Sequence, residues 1–381
     1  SGSGEYDGFV QYDHINQKLT FGAGASGAPK LSINSSGNSQ FTGIATATEF
    51  VATSVQTGGR KNILFNGEMQ VSQRGTAAVT VTTNAGFRCV DRWKTDIDGS
   101  GGGDFSHERS TDVPTGQGFS FSSKLTTVTQ ASQPTSESNH HQLYQILEGQ
   151  DVRHLEWGTS NAKPCTLSFW VKSSVTGTHA LWFGFYGGTT YYYWTNYTIS
   201  SANTWEKKTI KITGPTSGGN VTAGSNASGF RVEWTLGVGS DSETGTLNEW
   251  TTSTTFRTAS GTVYLPENAG ATWYLTGVQF EVGSNASAYE FRSFAEELAL
   301  CQRYHQRGTG IGVGYGSANG YARGGYILPC QMRAAPSATL TNTGSGSINA
   351  TSWTTDGGYV TYDSLGASSA GIFTYVLTSE L

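Results

Sequence analysis

Charge is scarce in this chain. Asp, Glu, Lys and Arg make up 13% of its 381 residues, about half the share usual for a soluble globular protein. Disorder does not follow, because disordered segments are charged and poor in aromatics, and here 12% of residues are Phe, Trp or Tyr. Lys and Arg are scattered, and the formal net charge is −5, so no basic patch of the nucleic-acid type is expected. No apolar run approaches the ~18–20 residues of a membrane-spanning helix. The opening SGSGEYDG has neither a basic n-region nor an apolar h-region, so no secretory signal is expected there. The four cysteines, Cys89, Cys165, Cys301 and Cys330, are far apart and form no CxxC pair. They read as small buried hydrophobes, a usage that suits assembly in a reducing cytoplasm.

What the chain does have is glycine, 51 residues of it, with dense Ser and Thr and many aromatics. That mixture suits short strands and tight turns, so the expected class is all-β, in two or three domains. Residues 5–60 alternate short runs such as Phe9–Tyr12, Lys18–Phe21 and Lys30–Ile33 with Gly/Asn turns. They read as rungs of a trimeric fibre shaft, with a connector over 41–54 and a linker to Arg60. Residues 61–293 read as one large β-sandwich. In Thr166–Lys172, for example, Leu167, Phe169 and Val171 share one face while Ser168, Trp170 and Lys172 share the other. Phe294–Gln306 has strong helix formers and no Gly or Pro. Phe294, Leu298, Cys301 and Tyr304 fall on one stripe of it, suited to packing on the sandwich or about a trimer axis. Residues 308–381 return to strand character as a small C-terminal β domain.

Specific segments resemble a domain of tailed-bacteriophage tail-fibre and virion structural proteins. They are Asn62–Gly75 (NILFNGEMQVSQRG), Asp91-Arg92-Trp93, Leu155–Ser174, Ala202–Ile210, Trp273–Gly283, Glu296–Tyr304 (EELALCQRY) and Leu328–Pro336. The resemblance spans roughly residues 61–340. It implies a jelly-roll sandwich like those of carbohydrate-binding modules, carried on a homotrimeric fibre in the virion. The implied partners are a host-surface polysaccharide or lipopolysaccharide and, on the N-terminal side, other tail proteins. No catalytic residues come with it. A depolymerising tail spike and a purely structural fibre component are the alternatives.

Residues 176–200 and 308–326 fall outside the resemblance, and specificity is expected there. The first holds Trp182, Tyr186, Tyr191, Tyr192, Tyr193 and Trp194. A Trp or Tyr face stacks on the C–H face of a sugar ring while neighbouring polar groups bond its hydroxyls. The alternation with Phe183 and Phe185 means that part of this set fills the core. The second segment, GTGIGVGYGSANGYARGGY, places Gly308, Gly310, Gly312, Gly314 and Gly316 on one parity, which points to close backbone approach. Tyr315, Asn319, Tyr321 and Arg323 then make a candidate tip surface. His140 and His141 have no second-ligand spacing. Asp96, Asp98 and Asp104 are weak calcium candidates, and no cofactor is otherwise expected. Glycoside cleavage needs two carboxylates roughly 5–10 Å apart, and nothing in the sequence singles out a pair among Glu233, Asp241, Glu243, Glu249, Glu267 and Glu290.

Overall fold

The computed structural model describes residues 8–23, 29–37, 39–41, 60–82, 85–98, 103–136, 139–222, 224–243, 246–253, 258, 261–313, 320–365 and 370–381. The chain divides into two compact units, Ser1–Thr57 and Gly58–Leu381. Of the expected connector over 41–54, residues 42–54 lie outside the described residues.

In the first unit β1 (Gly8–Asp13), β2 (Lys18–Ala23), β3 (Pro29–Ile33) and β4 (Ser39–Phe41) form one antiparallel sheet in chain order. The runs read as rungs lie in β1, β2 and β3, and they pair with one another within a single chain. Asp13 closes the first turn, its carboxylate accepting from the backbone N–H groups of Ile15 (2.9 Å) and Asn16 (3.1 Å). Val10 and Tyr12 remain 67% and 50% exposed, so this sheet leaves apolar surface uncovered.

The second unit is a β-sandwich, crossed repeatedly by the chain in jelly-roll fashion. Its strands are β5 (Val79–Val81), β6 (Gly86–Phe87), β7 (Lys94–Asp98), β8 (Asp104–Ser110), β9 (Ser122–Thr129) and β10 (His140–Glu148). They continue with β11 (Pro164–Ser173), β12 (Gly177–Tyr186), β13 (Thr190–Ile199), β14 (Glu206–Thr213), β15 (Ser228–Val238), β16 (Trp250–Thr251) and β17 (Thr272–Val282). One sheet runs β16-β13-β12-β15-β10-β7-β6 and the other β14-β11-β17-β9-β8-β5. Alternation decides what goes between them. Leu167, Phe169 and Val171 of β11 and Leu181, Phe183 and Phe185 of β12 are fully buried. Phe230 of one sheet stacks on Phe280 of the other at 4.9 Å and 8°. Each such side chain contributes about 1.5–3 kcal/mol through burial.

The segment around Asn62 and Asn66 ties the sandwich together. Asn62 donates to the Val278 carbonyl and accepts from Leu64 and Phe280, while Asn66 donates to the carbonyls of Val71 and Asp91. These bonds pin the segment that enters the unit against β17 and satisfy buried backbone groups.

A short helix α1 (Gly149–Val152) follows β10, and the helix α2 (Phe294–Gln302) starts where expected. Ser293 caps it, its hydroxyl accepting from Glu296 N–H. It ends at Gln302 rather than Gln306. His305 already begins β18 (His305–Val313), which pairs along its length with a strand more than sixty residues later, and that non-local ladder outweighs local helix propensity. The remaining strands are β19 (Gly320–Ile327), β20 (Ser337–Asn342), β21 (Ser347–Trp353), β22 (Gly357–Leu365) and β23 (Ala370–Thr378). They and β18 form two three-stranded sheets around Val360, Tyr362 and Phe373. The glycine parity has its explanation here. A Cβ at Gly310 would lie 2.4 Å from the Phe373 ring, and one at Gly308 would lie 2.3 Å from the Tyr375 hydroxyl. Rings of β23 therefore rest directly on the glycine backbone of β18.

Buried ion pairs join this C-terminal part to the sandwich. Glu380 accepts from Arg92 (2.5 Å) and Arg74 (2.8 Å). Glu148, fully buried, accepts from both Arg303 nitrogens (2.7 and 2.8 Å) and from the Tyr304 hydroxyl (2.6 Å).

Candidate functional site

The outer face of the seven-stranded sheet carries the site. The side chains that alternate with the core residues of β10, β15, β12 and β13 point away from the six-stranded sheet. They are Gln142 and Tyr144, Arg231 and Glu233, Trp182 and Tyr186, and Tyr192 and Trp194. Cross-strand register brings them level. Tyr144 and Trp182 both oppose Glu233, Gly184 opposes Arg231 and Tyr192, and Trp182 opposes Trp194. The result is a strip at right angles to the strands. The Arg231 guanidinium lies 3.6 Å from the Tyr144 ring centre and 4.9 Å from that of Trp182. Trp182 stacks on Tyr192 at 5.5 Å and 23°, and Tyr192 meets Trp194 at 5.9 Å. The four strands are three steps apart, so the strip is about 14 Å long at ~4.8 Å per step. Gly184 makes the centre possible: a Cβ there would lie 2.9 Å from the Tyr186 hydroxyl and 3.0 Å from the Trp182 ring.

The polar half of the face is held in place and incompletely satisfied. Arg231 pairs with Glu233 at 2.5 Å and donates to the Gln142 side-chain oxygen at 2.8 Å. Burial works against the charge on Arg231, but Glu233 and the two flanking tyrosines outweigh it and raise its pKa. Burial pushes the Tyr186 hydroxyl up to about 12, so it stays a neutral donor. Beyond the strip, Asp96 lies 3.6 Å from His140, and Lys94 has its pKa lowered by burial. Among the described residues, five buried atoms on this face have no hydrogen-bond partner: Arg231 Nε, Gln142 Nε2, His140 Nδ1, Trp194 Nε1 and Asn196 Oδ1. They lie beneath the half-buried rings of Trp182, Tyr186 and Tyr192, so polar groups and ring faces share one patch of the sheet.

The sequence-selected residues separate by parity. Trp182, Tyr186 and Tyr192 lie on the outer face, half-buried, and Trp194 lies there almost fully buried. Tyr193 points inward and packs with Phe183 and Trp250 in the core. Tyr191 shares the inward parity and sits at the strand end, its hydroxyl 3.3 Å from that of Ser217. Tyr315 and Asn319 lie outside the described residues. Tyr321 and Arg323 lie on β19, which pairs with β22, and their side chains are outside what is described. On α2, Cys301 is buried together with Tyr304 just beyond the helix, Leu298 is half-buried, and Phe294 is 56% exposed. Of the calcium candidates, Asp98 ends β7 and Asp104 accepts from Thr129 at 2.7 Å. No three metal-ligating side chains converge among the described residues. Tyr144, Gln142 and Arg231 did not emerge from the sequence, and Glu233 stood there only as one of several carboxylates with no partner singled out. The available signal was polar residues at alternate positions of otherwise apolar strands, as in Phe230-Arg231-Val232-Glu233-Trp234.

The sequence matches no family model and no curated protein. Several solved structures are similar in fold. The enzymatically active domain of tailspike protein 4 from bacteriophage CBA120 is 14% identical at a TM-score of 0.30, covering 58% of this chain and 21% of that one. This chain thus spans 21% of that protein's length. A family 11 carbohydrate-binding module from Clostridium thermocellum, in complex with a mixed-linked tetrasaccharide, is 10% identical at 0.27, covering 56% of this chain and 99% of that one. A xylan-binding domain from Paenibacillus barcinonensis is 13% identical at 0.25, covering 56% and 100%. These likenesses say nothing of what this chain binds.

Proposed function

We propose that this chain binds a glycan on the outer face of its seven-stranded sheet and, as the motif resemblance of residues 61–340 implies, does so as the receptor-binding part of a phage tail fibre. The observation that carries the reading is the strip Tyr144–Arg231–Trp182–Tyr192–Trp194. Tyr144 and Trp194, almost fully buried at its two ends, brace it, and the half-buried Trp182 and Tyr192 keep ring surface between them. Sugar rings offer apolar C–H faces for these two rings, and hydroxyls for the polar groups around them. Binding is reversible and breaks no covalent bond. A homotrimer, with several fibres per virion, raises avidity over weak single sites.

The alternative of glycan cleavage lacks a freed carboxylate pair among the described residues of this face. Glu233 is tied to Arg231 and accepts from Thr235 at 3.2 Å, and Asp96 faces His140. The test combines two readouts. Purified protein is applied to host cells, and isolated surface polysaccharide is incubated with it and sized. The reading expects attachment that Trp182→Ala weakens, with polymer length unchanged. Polymer shortening that Glu233→Gln abolishes would establish a depolymerase, and no attachment to any tested surface glycan would remove the reading.

A further inference from the structure

The outer face of the six-stranded sheet carries a second, differently charged constellation. Trp205 immediately precedes the edge strand β14. Lys172 of β11 lies opposite Tyr274 of β17, which lies opposite Lys124 of β9, which lies opposite Glu108 of β8. Rings and ammonium groups alternate along this row. Lys172 Nζ is 5.4 Å from the Trp205 ring centre and 4.2 Å from that of Tyr274, and Lys124 Nζ is 5.8 Å from Tyr274. Asp112 holds the near end, accepting from the Trp205 indole at 3.0 Å and pairing with Lys172. Lys172 is only 8% exposed. Trp205, Tyr274 and Trp170 are half-buried, so they keep free ring surface. Trp170 lies opposite Lys207, and Lys211 follows on the same outward parity of β14.

Charge complementarity identifies the occupant. Five of the chain's ten lysines, Lys124, Lys172, Lys207, Lys208 and Lys211, stand on these strands of a protein whose net charge is −5. Lys124 pairs with Glu108 and Lys208 with Glu206. Lys207 and Lys211 are exposed, and neither has an ion pair among the described residues. Four residues apart on a strand, their α-carbons are about 13 Å from one another. We infer that this face is a second binding surface, for an acidic polysaccharide: its rings pack against Trp170, Trp205 and Tyr274, and its recurring carboxylates meet Lys207 and Lys211. A single-stranded nucleic acid also combines flat rings with negative charge. Trp205 and Tyr274 meet edge-on at 65°, which offers no parallel platform for successive bases.

The inference is independent of the strip on the other sheet, and affinity electrophoresis tests it. Protein is run through gels containing alginate, a polyuronate, or dextran, a neutral glucan, and is titrated with oligo-dT. The expected result is retardation in alginate that Lys207→Glu/Lys211→Glu weakens about tenfold. Lys18→Glu/Lys30→Glu, an equal charge change elsewhere, leaves it intact. Absence of retardation in alginate overturns the inference, as does equal loss in both double variants. Tighter binding of oligo-dT than of alginate overturns it too. Retardation that survives Lys207→Glu/Lys211→Glu means that these lysines only protect the sheet edge from pairing with other chains.

Discussion

Neighbouring aromatic residues in this chain have opposite tasks, and alternation assigns them. Trp182 and Tyr192 stand on the outer face, while Phe183 and Tyr193 fill the core. Sequence alone does not resolve this in Tyr191-Tyr192-Tyr193-Trp194, because both parities are aromatic there. The orientation is set by partners far away, such as Phe230 and Phe280 packing against Phe183. The contrast is measurable. Trp182→Ala should weaken glycan binding by on the order of 1 kcal/mol, roughly fivefold, with little change in melting temperature. Tyr193→Ala should instead destabilise the sandwich by about 3–5 kcal/mol, the cost of emptying a large core site. Equal melting temperatures for the two variants, measured by calorimetry, would contradict the parity assignment, and a lower one for Trp182→Ala would invert it. Arg231 was invisible in the sequence, and Glu233 stood there only as one of several carboxylates, for a related reason. A lone charged residue in an apolar strand reads as noise until register places Tyr144 and Trp182 on either side of it.

The elements were more legible than their ends. Strands with clean alternation, such as β11, and the start of α2 follow from local pattern. The end of α2 does not, because β23 captures residues 305–313 from across the chain. The helix stripe also divides in the structure. Cys301 faces the core, whereas Leu298 and Phe294 line a surface cleft with Val71, Gln73, Arg109 and Phe121. Leu298→Asp should therefore leave the sandwich folded with a modest loss of about 1–2 kcal/mol. If subunits pack there, it should also dissociate the proposed trimer. Sedimentation and thermal melting of the same sample separate the two effects. An unchanged trimer would place the subunit contact elsewhere. Glu148→Ala is expected to be far more severe. It strands the Arg303 guanidinium and the Tyr304 hydroxyl in a buried site, at about 3–5 kcal/mol. A denaturation midpoint matching wild type would show that this network does not join the two parts of the unit.

At the scale of the whole molecule, four buried histidines make stability depend on pH. Burial lowers the pKa of His107 and His305 to about 3, and of His141 and His179 to about 4. Their unfolded counterparts titrate near 6.5. Between these values the unfolded chain binds more protons, so stability is full above about pH 6.5 and falls as the pH drops. At pH 5 each histidine costs about 2 kcal/mol. Four acids offset part of this. Burial, with Glu297 nearby, raises Glu68 to about 7, and burial, with Glu148 nearby, raises Asp151 to about 6. Burial also raises Asp91 and Glu297. All four favour the folded state on acidification. The histidine shifts are the larger, so urea unfolding should show lower stability at pH 5 than at pH 7, and a flat profile would contradict the burial of these rings. The central claim concerns the sheet face, and one titration tests it most directly. Oligosaccharides released from the host-surface polysaccharide are titrated calorimetrically into wild type and into Tyr192→Ala, both first shown to melt at the same temperature. The account predicts saturable binding to wild type that is weakened at least severalfold in the variant. Wild-type affinity in a folded Tyr192→Ala protein would contradict it.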